Sequence, residues 1–156
     1  MSPERATEMS YTSLNYHIVF STKNRKPFLQ AVKQKRICEY IVGVAKSMNS
    51  KVYIINGSAD HVHLAVSLNT KTTLADFIRN IKSNSSRWIK ESFSDLSDFA
   101  WQDEYSAFTV SYSGLDNVIK YINNQQEHHK KLGFDEELVA FLKKHNVEYD
   151  KRYIGG

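Results

Sequence analysis

The chain has 156 residues, 41% of them hydrophobic and only two of them proline, so it is long enough to bury a core and its composition argues against extensive disorder. Its 21 Lys and Arg residues against 17 acidic ones give a net charge of +4, a bias that fits a polyanionic partner without requiring one. The single cysteine, Cys38, excludes an intramolecular disulfide and a thiolate metal cluster, and no apolar run is long enough to span a bilayer. We expect a flexible leader at residues 1–10 and a single cytoplasmic globular domain at residues 11–156.

The first part of the chain predicts two strands separated by a helix. The run from Leu14 to Thr22 alternates aromatic or branched residues with polar ones, which is typical of a β-strand. A turn with three positive charges, Lys23 to Pro27, follows it. Residues 31–48 have a helical apolar stripe and no proline. Lys51 to Gly57 predicts the second strand, and a short connection predicts that it pairs with the third strand as a hairpin.

The third strand carries two histidines two residues apart. From Asp60 to Ser67 the sequence is Asp-His-Val-His-Leu-Ala-Val-Ser. Side chains two apart on a strand project to the same face, so His61 and His63 point together to one side while branched aliphatic residues line the other. We expect an apolar core on one face of the sheet and paired imidazoles in a shallow trough on the other.

The second part of the chain predicts two helices around a fourth strand, followed by a further helix. Thr73 to Asp76 has the Ser/Thr-x-x-acid form that begins a helix, which should extend to about Phe93. Its Lys and Arg residues alternate with Ser and Asn; such a face is usually only solvated, but it also suits contacts to phosphate. Phe108 to Tyr112 predicts the fourth strand, and residues 115–132 and 135–145 predict two helices separated by Gly133.

This order of elements, β-α-β-β-α-β and then helices, predicts an α+β fold. We expect a ferredoxin-like or RRM-like βαββαβ sandwich with an antiparallel sheet and additional C-terminal helices. Right-handed crossovers would place both long helices on one face of the sheet. The other face would then carry the histidines.

The helix predicted at residues 115–132 has a second stripe beside its apolar one. Tyr121, Gln125 and His128 share it, at spacings of four and three residues, about a quarter turn from the apolar stripe. A tyrosine on a helix is ordinarily a packing residue. Its position at the flank, with a glutamine one turn away, favours a phenol that points along an accessible groove.

Two motifs together resemble a known family. His61-Val62-His63 resembles the HUH motif, histidine-hydrophobic-histidine, and Tyr121 with Gln125 resembles the Tyr-x-x-x-Gln helix of the single-tyrosine transposases of small, hairpin-ended bacterial insertion sequences, the IS200-like group. The resemblance covers most of residues 11–153. Further segments lie in the order that those proteins show: Asp60 to Leu64, Trp101-Gln102, Phe108 to Ser111 and Tyr121 to Lys130.

The resemblance implies a nuclease and strand transferase that acts on single-stranded DNA. By analogy, His61 and His63 hold a divalent metal, Mg or Mn, with the side-chain oxygen of Gln125, and the metal polarises the scissile phosphate. Tyr121 attacks the phosphorus, which gives a 5′-phosphotyrosine link and a free 3′-hydroxyl, and reversal with another 3′-end joins strands. The resemblance also implies hairpin-ended DNA as partner and a homodimer in which the tyrosine helix of one subunit completes the histidine site of the other.

The residues alone leave several points open. Two imidazoles suit Zn, Mn or Fe better than Mg, so the choice of Mg or Mn comes from the resemblance. Asp60 could orient a histidine or cap the turn, and His128 could also support the site. The candidates for phosphate contact are Arg25, Lys26, Lys82, Arg87 and Lys120.

Two alternative functions remain at this stage. One is a domesticated, repeat-associated nickase with the same chemistry. The other is a non-catalytic RRM-like module that binds single-stranded nucleic acid on its open sheet. Such a module uses aromatic stacking residues on its central strands, where this chain has His61 and His63. A sandwich whose histidines only pair with neighbouring residues is the third possibility.

Overall fold

A four-stranded antiparallel sheet forms the middle layer of the computed structural model, which describes residues 10–125 and 133–154. The strands run in the spatial order β2-β3-β1-β4. Their bounds are β1 Asn15–Ser21, β2 Lys51–Gly57, β3 His61–Ser67 and β4 Ser106–Val110. The predicted βαββαβ arrangement with a β2–β3 hairpin is confirmed.

Four described helices connect or follow these strands. They are α1 Ala31–Ser47, α2 Leu74–Ser92, α3 Leu115–Asn123 and α4 Phe134–Lys144. Thr73 caps α2, since its hydroxyl accepts a hydrogen bond from the backbone N–H of Asp76 at 3.1 Å, as the sequence pattern predicts. None of the described helices has the length and apolar character needed to cross a membrane.

Some predicted bounds are wrong or lie outside the described residues. The fourth strand was expected at Phe108 to Tyr112, whereas β4 begins at Ser106 and ends at Val110. Pairing explains the shift, because Val110 lies opposite Asn15, the first residue of β1, and there is no strand beyond it to extend the ladder. The leader at residues 1–9, and residues 126–132 of the predicted third helix, lie outside the described part of the chain.

One face of the sheet packs against α1 and α2. Val62, Leu64 and Val66 of β3 join Ile18 and Phe20 of β1 in this apolar core. The helices contribute the buried residues Ile37, Ile41, Phe77, Ile78, Ile81 and Ile89. Both long helices therefore lie on one face, as the right-handed crossovers predict.

The opposite face packs against α3 and α4. Ala65 of β3 forms a second, smaller apolar cluster with Leu115 and Ile122 of α3. His61 and His63 lie on this face and are fully buried. The expected shallow open trough is therefore wrong, because the helices that follow β4 fold back over the histidines.

Candidate active site

The two histidines of β3 converge on a carboxylate from α4. His63 Nε2 lies 2.9 Å from Glu137 Oε1, and His61 Nε2 lies 3.8 Å from the same oxygen. One donor atom from each of these three buried residues lies within 4.8 Å of the other two. Two imidazole nitrogens and one carboxylate oxygen at this spacing are a donor set that can hold a divalent metal ion.

A tight hairpin places the histidine pair. Gly57 ends β2 so close to the next strand that a Cβ on it would lie 2.1 Å from the carbonyl oxygen of His61. The backbone N–H of Ser58 donates to that same carbonyl at 3.1 Å. Position 57 therefore needs glycine, because any side chain would push β2 away from the histidine strand.

The other ring nitrogen of each histidine also has a partner. His61 Nδ1 lies 2.8 Å from Asp60 Oδ1 and 3.0 Å from Ser58 Oγ, and His63 Nδ1 lies 2.9 Å from His17 Nε2. These contacts turn both Nε2 atoms towards α4. Asp60 thus makes the orienting contact that was one of its two expected roles.

Burial and neighbouring groups set the protonation states of Asp60 and His17, which contact the Nδ1 atoms of the two histidines. Burial alone would raise the pKa of Asp60, but its hydrogen bond with His61 and the nearby Arg25 guanidinium lower that pKa to about 2. Burial, reinforced by the proximity of His63, lowers the pKa of His17 to about 3. Near neutral pH, an ionised Asp60 therefore supports His61 and a neutral His17 supports His63.

Tyr121 of α3 reaches the same carboxylate. Its hydroxyl donates a hydrogen bond to Glu137 Oε2, and its ring centroid lies 5.9 Å from that of His63. Burial and the bonded, negatively charged Glu137 raise the pKa of Tyr121, while a hydrogen bond with the Gln125 side chain lowers it. In this geometry Tyr121 is a neutral phenol held beside the histidine pair.

The predicted tyrosine therefore lies at the histidines, and the predicted glutamine lies against the tyrosine. Gln125 is fully buried four residues after Tyr121 and just beyond the end of α3 at Asn123, so the single helix predicted over residues 115–132 is wrong at Asn124. The resemblance implied that a second subunit supplies the tyrosine helix, but here Tyr121 lies against His63 of its own chain. His128 lies outside the described residues.

Glu137 received no role in the sequence analysis. A signal for it exists, because Phe134, Glu137 and Phe141 follow one another at helical spacings of three and four. Glutamate is almost never fully buried unless it is paired, so an acidic residue in line with two aromatic ones on an amphipathic helix marks a possible site. In the structure Glu137 is 2% exposed.

Arg25, a predicted phosphate contact, connects β3 to α4 in the structure. Its Nε lies 3.1 Å from Asp60 Oδ2, and its Nη1 pairs with Asp135 Oδ1 at the start of α4. Its guanidinium also lies 4.4 Å from the ring centroid of Phe134. These contacts occupy the guanidinium within the protein.

Lys82, another predicted phosphate contact, is likewise engaged within the chain. Its Nζ donates to the backbone carbonyls of Gln102 at 2.8 Å and Glu104 at 2.6 Å. Burial lowers its pKa to about 8 despite the acidic Asp103 and Glu104 nearby. It lies on α2, across the sheet from Tyr121.

The remaining predicted contacts, Lys26, Arg87 and Lys120, are exposed. Lys26 directly follows Arg25, and its Nζ lies 4.0 Å from Asp98, whereas Lys120 directly precedes Tyr121 on α3. Arg87 lies on α2 and donates to Asn84 Oδ1 at 2.7 Å. Lys26 and Lys120 are thus sequence neighbours of site residues, whereas Arg87 lies on the helix that packs on the opposite face of the sheet.

Comparison with known proteins gives a consistent assignment. The model of the family "Transposase IS200 like" matches residues 10–125. The ISDra2 transposase TnpA of Deinococcus radiodurans is 24% identical over 119 residues, which are 73% of this chain and 85% of that protein. The transposase for insertion sequence element IS200 of Salmonella typhimurium is 25% identical over 136 residues, which are 83% of this chain and 88% of that protein.

Solved structures share the fold. A crystal structure of a Deinococcus radiodurans R1 protein described as a transposase superposes with a TM-score of 0.63 and 23% identity, covering 75% of this chain and 94% of that one. The structure of a REP-associated tyrosine transposase bound to a REP hairpin gives a TM-score of 0.60 and 14% identity, covering 94% of this chain and 89% of that one. At these identities the likeness concerns the arrangement of sheet and helices.

Proposed function

The chain belongs to the IS200-like transposase family, and we propose that it cleaves and rejoins single-stranded DNA at the hairpin-bearing ends of a mobile element through a 5′-phosphotyrosine intermediate. One observation carries this proposal. Within one chain, Tyr121 and the His61–His63 pair meet at a single buried cluster. A nucleophile beside potential metal ligands is the arrangement that metal-assisted phosphoryl transfer to a tyrosine needs.

The donor set fits a divalent cation. His61 and His63 present buried Nε2 atoms to the same point, and the side chain of Gln125 lies at the Tyr121 hydroxyl. We propose that these three residues hold Mg or Mn, as the family resemblance implies. When bound, the ion supplies Lewis-acid polarisation of a phosphoryl oxygen.

Tyr121 is the proposed nucleophile. Its oxygen forms a bond to the scissile phosphorus, and the bond from phosphorus to the 3′-oxygen breaks, so the leaving strand ends in a 3′-hydroxyl. The phenol proton passes to Glu137 Oε2, to which it is already hydrogen-bonded. A different 3′-hydroxyl reverses the reaction and joins strands, with no external energy source because the phosphotyrosine bond retains the energy of the broken linkage.

Exposed cations near the site are the proposed phosphate contacts. Lys26 and Lys120 are exposed and are the sequence neighbours of Arg25 and Tyr121, which suits them to hold a strand that enters the site. Arg87 lies on α2, so it would contact only DNA that extends to the face of the sheet opposite the histidines. Arg25 and Lys82 would first have to leave their present partners.

An adduct assay tests the nucleophile. Single-stranded DNA that carries the hairpin end of the host element is labelled at its 3′-end, incubated with protein and Mn²⁺ or Mg²⁺, and separated under denaturing conditions. The wild-type chain should retain label, and Tyr121→Phe should lose the adduct by about three orders of magnitude or more, because the attacking oxygen is gone.

Tyr112→Phe is the matched control, since Tyr112 is 78% exposed at the turn before α3. It should form the adduct as the wild type does. Adduct formation by Tyr121→Phe would contradict the proposal. A non-catalytic RRM-like module would bind the oligonucleotide and give no adduct with any of the three proteins.

Mixing inactive variants tests whether the site works within one chain. The resemblance implies a homodimer, and we propose that each of its sites is complete in one subunit, because Tyr121 lies against its own His63. A mixture of Tyr121→Phe and His63→Ala should then stay inactive under conditions where light scattering shows dimers. Restored activity would mean that the tyrosine helix is exchanged between subunits.

A further inference from the structure

We propose that Glu137 is itself a metal ligand, so that the centre is a site of two histidines and one carboxylate, with the carboxylate supplied by α4. The inference rests on the metal-assisted function proposed above. It adds a charged ligand to the neutral Gln125 that the family resemblance implies. The argument depends on the donor spacing, on burial and on the contacts that place α4.

The donor spacing is that of ligands around one ion. Neighbouring ligand atoms in an octahedral or tetrahedral site with bonds of about 2.1 Å lie about 3.0–3.4 Å apart. Glu137 Oε1 lies 2.9 Å from His63 Nε2 and 3.8 Å from His61 Nε2. Both distances from Glu137 Oε1 lie within about half an ångström of this range, and the three donor atoms all lie within 4.8 Å of one another, as donors that share one ion do after a small adjustment.

Burial favours a cationic partner for Glu137. A carboxylate removed from water is costly unless charge and hydrogen bonds compensate it, and Glu137 is 2% exposed. The ring nitrogen of His17 can donate to or accept from His63 Nδ1, 2.9 Å away, so His63 can present either an N–H or a lone pair at Nε2. The same framework therefore accommodates the hydrogen bond from His63 to Glu137 and an ion between them.

Contacts on both sides of Glu137 place α4 over the histidines. Before it, the Phe134 ring lies 4.2 Å from the His61 ring and the Arg25 guanidinium pairs with Asp135. After it, the Phe141 ring lies 4.9 Å from that of His17. These contacts hold α4 on both sides of Glu137. They therefore fix the position of its carboxylate beside the two histidines.

The donor chemistry has a consequence for the metal. Imidazole nitrogens favour transition metals over Mg, and a carboxylate adds negative charge that an amide lacks. The site should therefore bind Mn²⁺ more tightly than Mg²⁺, and part of that affinity should depend on the charge of Glu137.

Metal binding without DNA tests the assignment. Isothermal titration of the metal-free full chain with Mn²⁺, supported by electron paramagnetic resonance of free Mn²⁺, gives the affinity. Glu137→Gln keeps the shape and removes the charge, and it should weaken Mn²⁺ binding by at least about tenfold, the lower end of the loss caused even by residues that only support metal ligands. His63→Ala should lose the site.

Glu136→Gln is the matched control, because Glu136 is the exposed neighbour on the same helix and loses the same charge. It should bind Mn²⁺ as the wild type does. Circular dichroism checks folding of every variant. If Glu137→Gln fails to fold, Glu137→Asp replaces it, since retracting the carboxylate by one methylene should also weaken Mn²⁺ binding. An unchanged affinity for Mn²⁺ in the folded variant would overturn the inference.

The outcomes separate this inference from the proposed function. Wild-type affinity in Glu137→Gln together with loss in His63→Ala would show that Glu137 is not a ligand and would leave the proposed metal site in place. Equal binding by wild type and His63→Ala, or no binding by either, would refute the metal role of the histidines and this inference together. The adduct assay with Tyr121→Phe would then still decide the nucleophile.

Discussion

The two faces of the sheet are both buried, yet different side chains fill them. Under α1 and α2, the alternate residues Val62, Leu64 and Val66 of β3 contribute to an apolar core. Under α3 and α4, the intervening His61 and His63 meet polar and aromatic partners. The two-residue period of one strand therefore directs apolar side chains to the core on one side and the histidines of the proposed active site to the other.

The difference also concerns how each face is closed. The first face is sealed by close-packed aliphatic and aromatic side chains, which lose stability when atoms are removed. The second has the smaller apolar cluster around Ala65, and in addition polar contacts of α4 with His63 of β3 and with Arg25 after β1. Substitutions on the two faces should therefore separate stability from activity.

The largest loss of stability is expected on the apolar face. Phe77 of α2 is fully buried, and Phe77→Ala should reduce the free energy of unfolding by about 3–5 kcal/mol, because it removes buried area and leaves a cavity. Urea denaturation followed by circular dichroism measures the change. DNA adduct formation should decline only as far as the folded fraction declines.

Tyr121→Phe supplies the contrast. It removes one hydroxyl that bonds to Glu137, so it should cost about 1–2 kcal/mol of stability while it abolishes the adduct. If Phe77→Ala lost adduct formation at a temperature where it is fully folded, the separation of the two faces would be wrong.

A smaller effect is expected at the tie between β3 and α4. Arg25→Ala removes the contacts to Asp60, Asp135 and Phe134, and it should cost about 1–2 kcal/mol, since the ion pairs are partly exposed. Hydrogen exchange should detect the local loss of stability in α4 most directly. Backbone amides of α4 should exchange about tenfold faster, while those of α2 should not change.

Lys26→Ala is the control for Arg25→Ala. Lys26 is the next residue and also carries a positive charge, but its Nζ lies 4.0 Å from the exposed Asp98 and makes no comparable tie to α4. The free energy of unfolding of Lys26→Ala should stay within about 0.5 kcal/mol of the wild-type value. The backbone amides of α4 should exchange at the wild-type rate. Equal protection of α4 in Arg25→Ala and wild type would show that the helix is held by its apolar contacts alone.

The sequence predicted what depends on local periodicity. The strand period placed His61 and His63 on one face, and the helical stripe placed Tyr121 with Gln125, because these relations are set by neighbouring residues. The order of elements then limited the topology. The β4 bounds were wrong because they depend on where β1, nearly a hundred residues earlier, begins.

The parts of the site that were missed depend on contacts between distant segments. Glu137 reaches His63 across 74 residues of chain, and Arg25 meets Asp135 across 110. No local sequence pattern predicts either of these contacts. The only local signal was the unusual position of Glu137 on an apolar stripe. The same reason explains why Arg25 was expected to meet DNA phosphates while the structure engages it in ion pairs.

The smallest effect is expected from a charge at the border of the apolar face. Lys82 Nζ lies 5.3 Å from the Phe20 ring centroid, and burial lowers its pKa from 10.5 to about 8. Between these two pH values the unfolded chain binds this proton more fully than the folded protein, so stability should rise with pH in that window. Below about pH 8 both states are protonated at Lys82 and the contribution should be flat.

Lys82→Met tests this prediction, because it keeps the length of the stem and removes the titrating group. The free energy of unfolding of the wild type minus that of Lys82→Met should increase by about 1 kcal/mol from pH 8 to 10, a value reduced for the partial exposure of the side chain. Urea denaturation at several pH values measures the difference, in which the other titrating residues cancel. A difference that falls with pH would mean that the bonds to Gln102 and Glu104 hold the charged lysine more strongly than burial opposes it, and that the apolar face tolerates a charge at its border without cost.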